Sequence, residues 1–549
     1  METPLEKRHG VKDVVASDVS VLSVVAMFYA ICCAGAFGIE EMIPECGPGL
    51  TIMMLLVLPV CWALPYSLIC AEMGSARPVE GGNLMWVKEA LGEFWFAIMV
   101  FCNVIWSLVC NTVYVVLAVG YLGKIVPLTD FQSMCLKVIM ILIFFTINIL
   151  GVRDVGIVSA VLSIIIVVAF AAVTVVGFMN WNQSPVEPFF SDEYDNAFGH
   201  IGAGLAIAIW MYSGFDELSV IAGEVKNAHK IIPKALMIVV PLIALTYILP
   251  TMAGLCSVGE WADWTTEPDG VGYSAVLTQF AGPAAGVLFM IVAIIGQGSI
   301  FNVCITTGSR CVLMLADEHF GPKFVANLTK SRGVPYVGLI VVACATLLLI
   351  PFKFTFLVVV DVFFMIMCTS LTVIACMILK RRLPKEGFHF TIPGGTVLHT
   401  VFGVVILGIC VLATLVNGTD YFMGGLIWML AVPILYVLGK WKYKGSTIDD
   451  PINYPINAKT HLGFGDVGKV GLLYTGIGVF AIFARFFLQW NEGSWGEEYY
   501  LEEYESGIFS DFTGMLSVIT TTGIVCVIVG LTLWLIGRKV DYPDVEEQD

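Results

Sequence analysis

The sequence predicts an all-α polytopic membrane protein: two five-helix units of inverted topology, each opening with a broken helix, followed by four more spans. Three observations predict it. First, 58% of the 549 residues are hydrophobic and 13% are charged, with a mean hydropathy of +0.88; soluble domains carry about 25% charged residues. Second, fourteen apolar runs reach the ~20 residues that a membrane helix needs. Third, the first and sixth runs are each interrupted by a glycine closely followed by adjacent acids.

Residues 1–18 are a polar segment expected in the cytoplasm. No secretory signal peptide is expected, because the first apolar run is too long for a signal core. That run, 19–43, would be an ordinary membrane helix but for Gly35-Ala36-Phe37-Gly38-Ile39-Glu40-Glu41. Each glycine costs a helix interior roughly 1 kcal/mol against Ala. Each carboxylate costs about 2.5–3.5 kcal/mol at the bilayer centre. Pro44 then withholds the N–H that would bond the Glu40 carbonyl. Freed backbone and charge at membrane depth are tolerated only where they line a cavity or are buried in protein. The run is therefore read as a helix broken around something polar.

Runs at 51–72, 94–122, 132–150 and 155–179 complete a first unit over 19–179. The sixth run, 198–224, contains Trp210-Met211-Tyr212-Ser213-Gly214-Phe215-Asp216-Glu217. Five spans separate the two breaks, so the second unit enters the membrane from the opposite side. It continues through 232–257, 281–314, 335–352 and 354–379, ending the unit over 198–379. In this plan substrate binds near the midplane, between the half-helices. Runs at 397–416 and 421–440 follow, then a polar linker, 441–470. The last unit, 471–549, holds spans at 471–490 and 514–537, an acidic loop read as a solvated surface, and a cytoplasmic tail. Gly463-Phe464-Gly465-Asp466-Val467-Gly468 is formally a G-x-G-x-x-G. A dinucleotide site needs a preceding strand and a βαβ unit; a membrane span follows here, so the stretch is read as linker.

Basic residues collect after even-numbered spans, as at Arg153, Lys226, Lys230 and Lys380-Arg381-Arg382, and acids after odd-numbered ones, as at Asp192, Glu260 and Glu497. This bias places both termini in the cytoplasm, and the plasma membrane is the expected location. The net charge of −16 does not suggest nucleic acid. Sixteen cysteines are scattered without metal or disulfide spacing, and the seven histidines form no cluster. No nucleophile elbow is present. Hence no catalytic residue, metal or cofactor is expected, and the chain is not read as an enzyme.

Several motifs also resemble a known family. Gly35-Ala36-Phe37-Gly38-Ile39-Glu40 is similar to the first-helix motif of plant and protist polyamine-uptake transporters. Ala71-Glu72-Met73-Gly74, Pro78 and Glu80-Gly81-Gly82 resemble a second-helix and loop signature. Gly214-Phe215-Asp216-Glu217, Ala222-Gly223-Glu224-Val225-Lys226-Asn227 and Ile232-Pro233-Lys234-Ala235 resemble the sixth helix and its following loop. Ser309-Arg310, Ala316-Asp317 and Gly321-Pro322 match the end of an eighth helix. Over roughly 15–440 the chain thus resembles the amino acid–polyamine–organocation transporter superfamily. The resemblance implies a leucine-transporter-type 5+5 inverted repeat of twelve spans, from which the final two spans depart.

The candidate substrate-binding residues are Gly35, Ala36, Phe37, Gly38, Glu40, Asn111, Trp210, Ser213, Gly214 and Asp216. Around Gly35, Ala36 and Gly38, small residues let a ligand approach freed N–H groups, which favour a carboxylate. A carboxylate-free diamine would leave those donors to water or another acceptor. Glu40 and Glu41 each have two readings: pairing with an ammonium or proton, or offsetting the macrodipole of a half-helix. Asp216 has the same two readings. By resemblance to the bacterial arginine–agmatine exchanger, Asn111 with Val119-Gly120-Tyr121-Leu122 contacts substrate and Trp210 stacks on it; such a cation–π contact is worth roughly 0.5–2 kcal/mol. For proton or ion coupling the candidates are Glu41, Asn302, Thr306 and Asp361. Asp361 is an isolated carboxylate within span ten, or else lies near an outer interface. Span five has no lysine between Gly156 and Gly177, whereas some proton-coupled relatives keep one.

These features point to a secondary transporter or exchanger of amino acids, amines or polyamines working by alternating access. Cationic substrates are favoured because four carboxylates flank the breaks and no basic residue does. Partners are the substrate, the lipid bilayer, and protons, sodium or an exchanged counter-substrate. A neutral amino acid carrier with purely structural acids is the alternative, and a membrane channel or receptor the alternative of another class.

Overall fold

The structure is a computed structural model that describes residues 20–33, 35–77, 79, 81–150, 155–191, 194, 197–215, 228–329, 333–384, 387–504 and 506–541. The helices are α1 Val21–Cys32, α2 Met42–Cys46, α3 Pro48–Ala76, α4 Gly82–Leu91, α5 Glu93–Gly123, α6 Asp130–Leu150, α7 Val155–Met179, α8 Ala197–Met211 and α9 Ala228–Leu255. They continue as α10 Tyr273–Ala281, α11 Pro283–Asp317, α12 Tyr336–Leu349, α13 Phe354–Arg382, α14 Gly395–Val416, α15 Thr419–Tyr443, α16 Asp466–Glu492, α17 Gly496–Tyr504 and α18 Phe512–Asp541. Among the described residues there is no strand, only two isolated bridges. Among the described residues, ten helices are long and apolar enough to cross a membrane: α3, α5, α6, α9, α11, α13, α14, α15, α16 and α18. Shorter apolar helices lie where the fifth, sixth and ninth spans are predicted.

The first predicted span is divided. α1 stops at Cys32, and Gly35 and Gly38 take φ of +93° and +95°, a conformation that glycine reaches at little cost. A 3₁₀ turn, Ile39–Glu41, then leads into α2. In α3 a π-helical stretch, Pro59–Ala63, sits where Pro65 has no N–H to offer.

Two stretches depart from the sequence reading. α4 lies in a predicted connection. It is set off by Gly81 and Gly92, both at positive φ, and buries Leu84, Trp86, Val87 and Ala90 at helical spacing. α17 lies in the predicted solvated loop. Its glutamates 497, 498, 502 and 503 are exposed, but Tyr500 is buried and donates to Glu492 at 2.7 Å.

α5 is the axis of the bundle, packed between α11 and α13. α16 and α18 pair along small residues. A Cβ at Gly471 would stand 2.6 Å from the Gly530 carbonyl oxygen, and one at Gly478 would stand 2.5 Å from that of Gly523. Such close backbone approach holds helices together where lipid supplies no hydrophobic drive. Gly465 of the glycine-rich motif is the N-cap of α16 and Asp466 its first residue, whose carboxylate accepts from the Gly463 N–H at 2.9 Å.

Buried ion pairs tie one end of the bundle. Lys88 meets Glu318 at 2.7 Å and Lys440 meets Glu93 at 2.5 Å. Glu72 of α3 takes Lys380 at 2.6 Å, His399 at 2.5 Å and the Ile392 N–H at 2.9 Å. Losing one partner of such a group strands a buried charge, at about 3–5 kcal/mol.

Candidate functional site

At the first break the chain fills its own polar groups. Glu40 is 1% exposed. Its Oε2 accepts from the Gly38 N–H at 2.8 Å, and the Tyr121 hydroxyl of α5 donates to the carboxylate at 3.2–3.3 Å. Glu41 points elsewhere. Its Oε1 accepts from the Thr265 hydroxyl at 2.7 Å, the Thr266 N–H at 2.6 Å and the Thr266 hydroxyl at 2.5 Å. The same segment is held from α5 by Lys124, whose ammonium donates to the carbonyls of Thr265 at 2.6 Å and Gly270 at 3.0 Å. Burial holds that ammonium below the usual lysine range, against the pull of Glu40, Glu41 and Glu267. Phe37 stands in an aromatic cluster, 4.8 Å from Phe170 and 5.7 Å from Phe289 by ring centroids. Ala36 is fully buried, and a Cβ at Gly35 would strike Phe170 at 2.3 Å.

The second break begins where α8 ends. The Ser213 N–H and hydroxyl both turn back to the Trp210 carbonyl, at 3.2 and 2.6 Å, and Gly214 takes φ +90°. Asp216 and Glu217 lie outside the described residues. One side chain joins the two breaks. The Tyr247 hydroxyl of α9 reaches the Met211 carbonyl, at the end of α8, at 3.0 Å and the Cys32 carbonyl, at the end of α1, at 3.3 Å. It satisfies acceptors that each helix leaves open where it stops.

Beside Trp106, which shares a small cleft with Ser213 and Gly214 of the second break, lies a buried carboxylate. Asp361 of α13 is fully buried, and its Oδ2 accepts from the Trp106 indole N–H of α5 at 3.3 Å. Its Oδ1 has no hydrogen-bond partner, and no ion pair reaches it among the described residues. One turn along α5 from Trp106 stands Cys110, next to the carboxylate, and one turn further Tyr114. The Tyr114 ring is 5.8 Å from that of Trp210, and the Trp210 ring is 5.8 Å from that of Phe354. Phe354 closes on the first break: a Cβ at Gly38 would stand 2.7 Å from it. Trp106 also lines a small cleft with Trp62, Tyr66, Asn83, Ser213, Gly214 and Met365. A carboxylate oxygen without a partner, among three aromatic rings, suits a cation.

The remaining predicted residues sit apart from this cluster or beside it. Asn111 is buried and donates to the carbonyls of Ser107 and Cys304, with its Oδ1 unpaired. Asn302 and Thr306 form an amide–hydroxyl cluster with Asn148 of α6. Residues absent from the sequence reading are Tyr247, Lys124, Thr265, Thr266 and Gln297, the last fully buried with neither amide atom paired. Lys124 carried a signal, as a lone lysine after an odd-numbered span.

The amino acid permease family pattern matches residues 19–439. A probable polyamine transporter of Arabidopsis thaliana is 28% identical over 381 residues, covering 69% of this chain and 75% of that protein. The polyamine transporter PUT1 of Oryza sativa subsp. japonica is 28% identical over 394 residues, 69% of this chain and 70% of its own. The Asc-type amino acid transporter 1 of Mus musculus is 23% identical over 392 residues, 69% of this chain and 72% of its own.

Proposed function

This chain belongs to the amino acid permease family, and we propose that it carries amino acids or related amines and polyamines by alternating access, with cationic substrates favoured. It is a multi-pass membrane transporter and not an enzyme. One observation carries the proposal. The ends of α1 and α8, from which the unwound stretches Gly35–Gly38 and Tyr212–Gly214 continue, share one tyrosine hydroxyl inside the bundle, and Trp106, which lines a cleft with Ser213 and Gly214, holds a buried carboxylate with an open oxygen. Unwound helices at an internal site are how inverted-repeat carriers expose one site to either face.

On this reading 19–179 and 198–379 are the two repeats, 397–440 adds two spans, and 441–470 links the closing pair in 471–549. Both termini lie in the cytoplasm and the protein works in the plasma membrane, following the bias of basic residues. Backbone at Gly35, Ala36 and Gly38, with Asn111, Trp210, Ser213 and Gly214, borders the substrate. Protons, sodium or a counter-substrate drive the cycle. A neutral amino acid carrier is the second reading, favoured by the hydrogen bonds that already occupy Glu40 and Glu41.

The test is uptake of labelled arginine, agmatine, putrescine and leucine into proteoliposomes. Saturable flux with counterflow is expected. Single-channel currents would overturn the carrier, and leucine preference would select the second reading.

A further inference from the structure

We infer that Glu40 and Asp361 together set specificity, Glu40 by standing where a substrate carboxylate would bind and Asp361 by pairing with a substrate ammonium. The inference rests on the carrier reading and adds the residues that choose the substrate. An α-amino acid presents two charges, and a broken helix offers its carboxylate an N–H donor. Here the Gly38 N–H already points at the Glu40 carboxylate at 2.8 Å, and Tyr121 closes over the same group. An incoming carboxylate would have to displace a buried one and would meet like charge. The acceptor end is the reverse. Asp361 is fully buried, takes the Trp106 N–H at 3.3 Å with the Cys110 thiol beside it, and leaves Oδ1 without a hydrogen-bond partner. A lone carboxylate in that setting gains most from a cation. Trp106, Tyr114 and Trp210 supply ring faces for the alkyl chain and the charge. The fit is therefore to an amine that has lost its α-carboxylate.

Matched pairs test this, because their members differ only in that carboxylate: putrescine against ornithine, cadaverine against lysine, agmatine against arginine. Binding to the purified full-length protein in nanodiscs is measured by calorimetry, and flux separately in proteoliposomes. Each amine should bind at least about tenfold tighter than its amino acid. Asp361→Asn should weaken amine binding by about a hundredfold, whereas Asp361→Glu should keep measurable affinity. Glu40→Ala should leave the Gly38 N–H only the Tyr121 hydroxyl at 3.2 Å and narrow the amine-to-amino-acid ratio by about tenfold through tighter amino acid binding. Misfolding cannot produce that gain. If both Asp361 variants lose binding, the Glu40→Ala ratio decides. Equal binding within the pairs, an unchanged ratio in Glu40→Ala, or full amine affinity in Asp361→Asn would overturn the inference; the last would leave Asp361 a proton carrier. Amine binding of the expected pattern without counterflow would instead defeat the carrier reading and leave the pairing intact.

Discussion

Glu40 and Asp361 are both buried carboxylates in broken or membrane-crossing helices, yet their surroundings are opposite. Glu40 and its neighbour Glu41 draw on two backbone N–H groups, a tyrosine and two threonine hydroxyls, with Lys124 close by. Asp361 has one indole N–H, the Cys110 thiol beside it, and an oxygen without a hydrogen-bond partner. Acids beside a helix break invite a functional reading on charge alone. Counting their hydrogen bonds separates the acid that fastens the fold from the acid that waits for a partner.

Four measurements would break or sharpen that contrast. Gly38→Ala should act most strongly, since Gly38 bonds Glu40 and meets Phe354 on α13, the helix that carries Asp361. Its φ of +95° and the 2.7 Å approach of Phe354 make even a methyl group strained, by about 1–2 kcal/mol before the clash, and uptake should fall at least about tenfold. Glu41→Ala removes the acceptor of three hydrogen bonds. The Thr266 amide should then exchange about thirtyfold faster, as for a loss of about 2 kcal/mol, with substrate affinity unchanged. A collapse of affinity would make Glu41 part of the substrate site. Glu40→Gln keeps a carbonyl oxygen for the Gly38 N–H, so amine uptake should stay within about threefold of wild type; complete loss would make Glu40 the cation or proton group. The smallest effect is expected at Lys124. Burial lowers its folded pKa, so the unfolded chain binds the proton more tightly. Stability should therefore rise with pH from that lowered value toward the usual ~10.4, and Lys124→Met should flatten the rise in thermal melts.

The helices and the first break were legible because their signals are local. Apolar length marks a span, and two glycines with two acids in seven residues mark a point where a helix cannot run on. What the acids do there was not legible. Glu40 is settled by Tyr121, 81 residues away, and Glu41 by Thr265 and Thr266, more than 220 residues away. α4 escaped notice because ten residues between two glycines give too short a pattern to stand out from a loop. Asp361 was visible as a lone intramembrane acid, but its open oxygen depends on which face of α13 meets Trp106. Tyr247 looked like one more aromatic in an apolar run, since nothing local shows that its hydroxyl meets two helix ends.

That hydroxyl has one proton and two claimants, the carbonyls of Met211 at 3.0 Å and Cys32 at 3.3 Å. A displacement of a few tenths of an ångström toward one lengthens the other, so the stumps of the two interrupted helices work as the pans of a balance with Tyr247 at its pivot. Neither pan settles without lifting its counterpart.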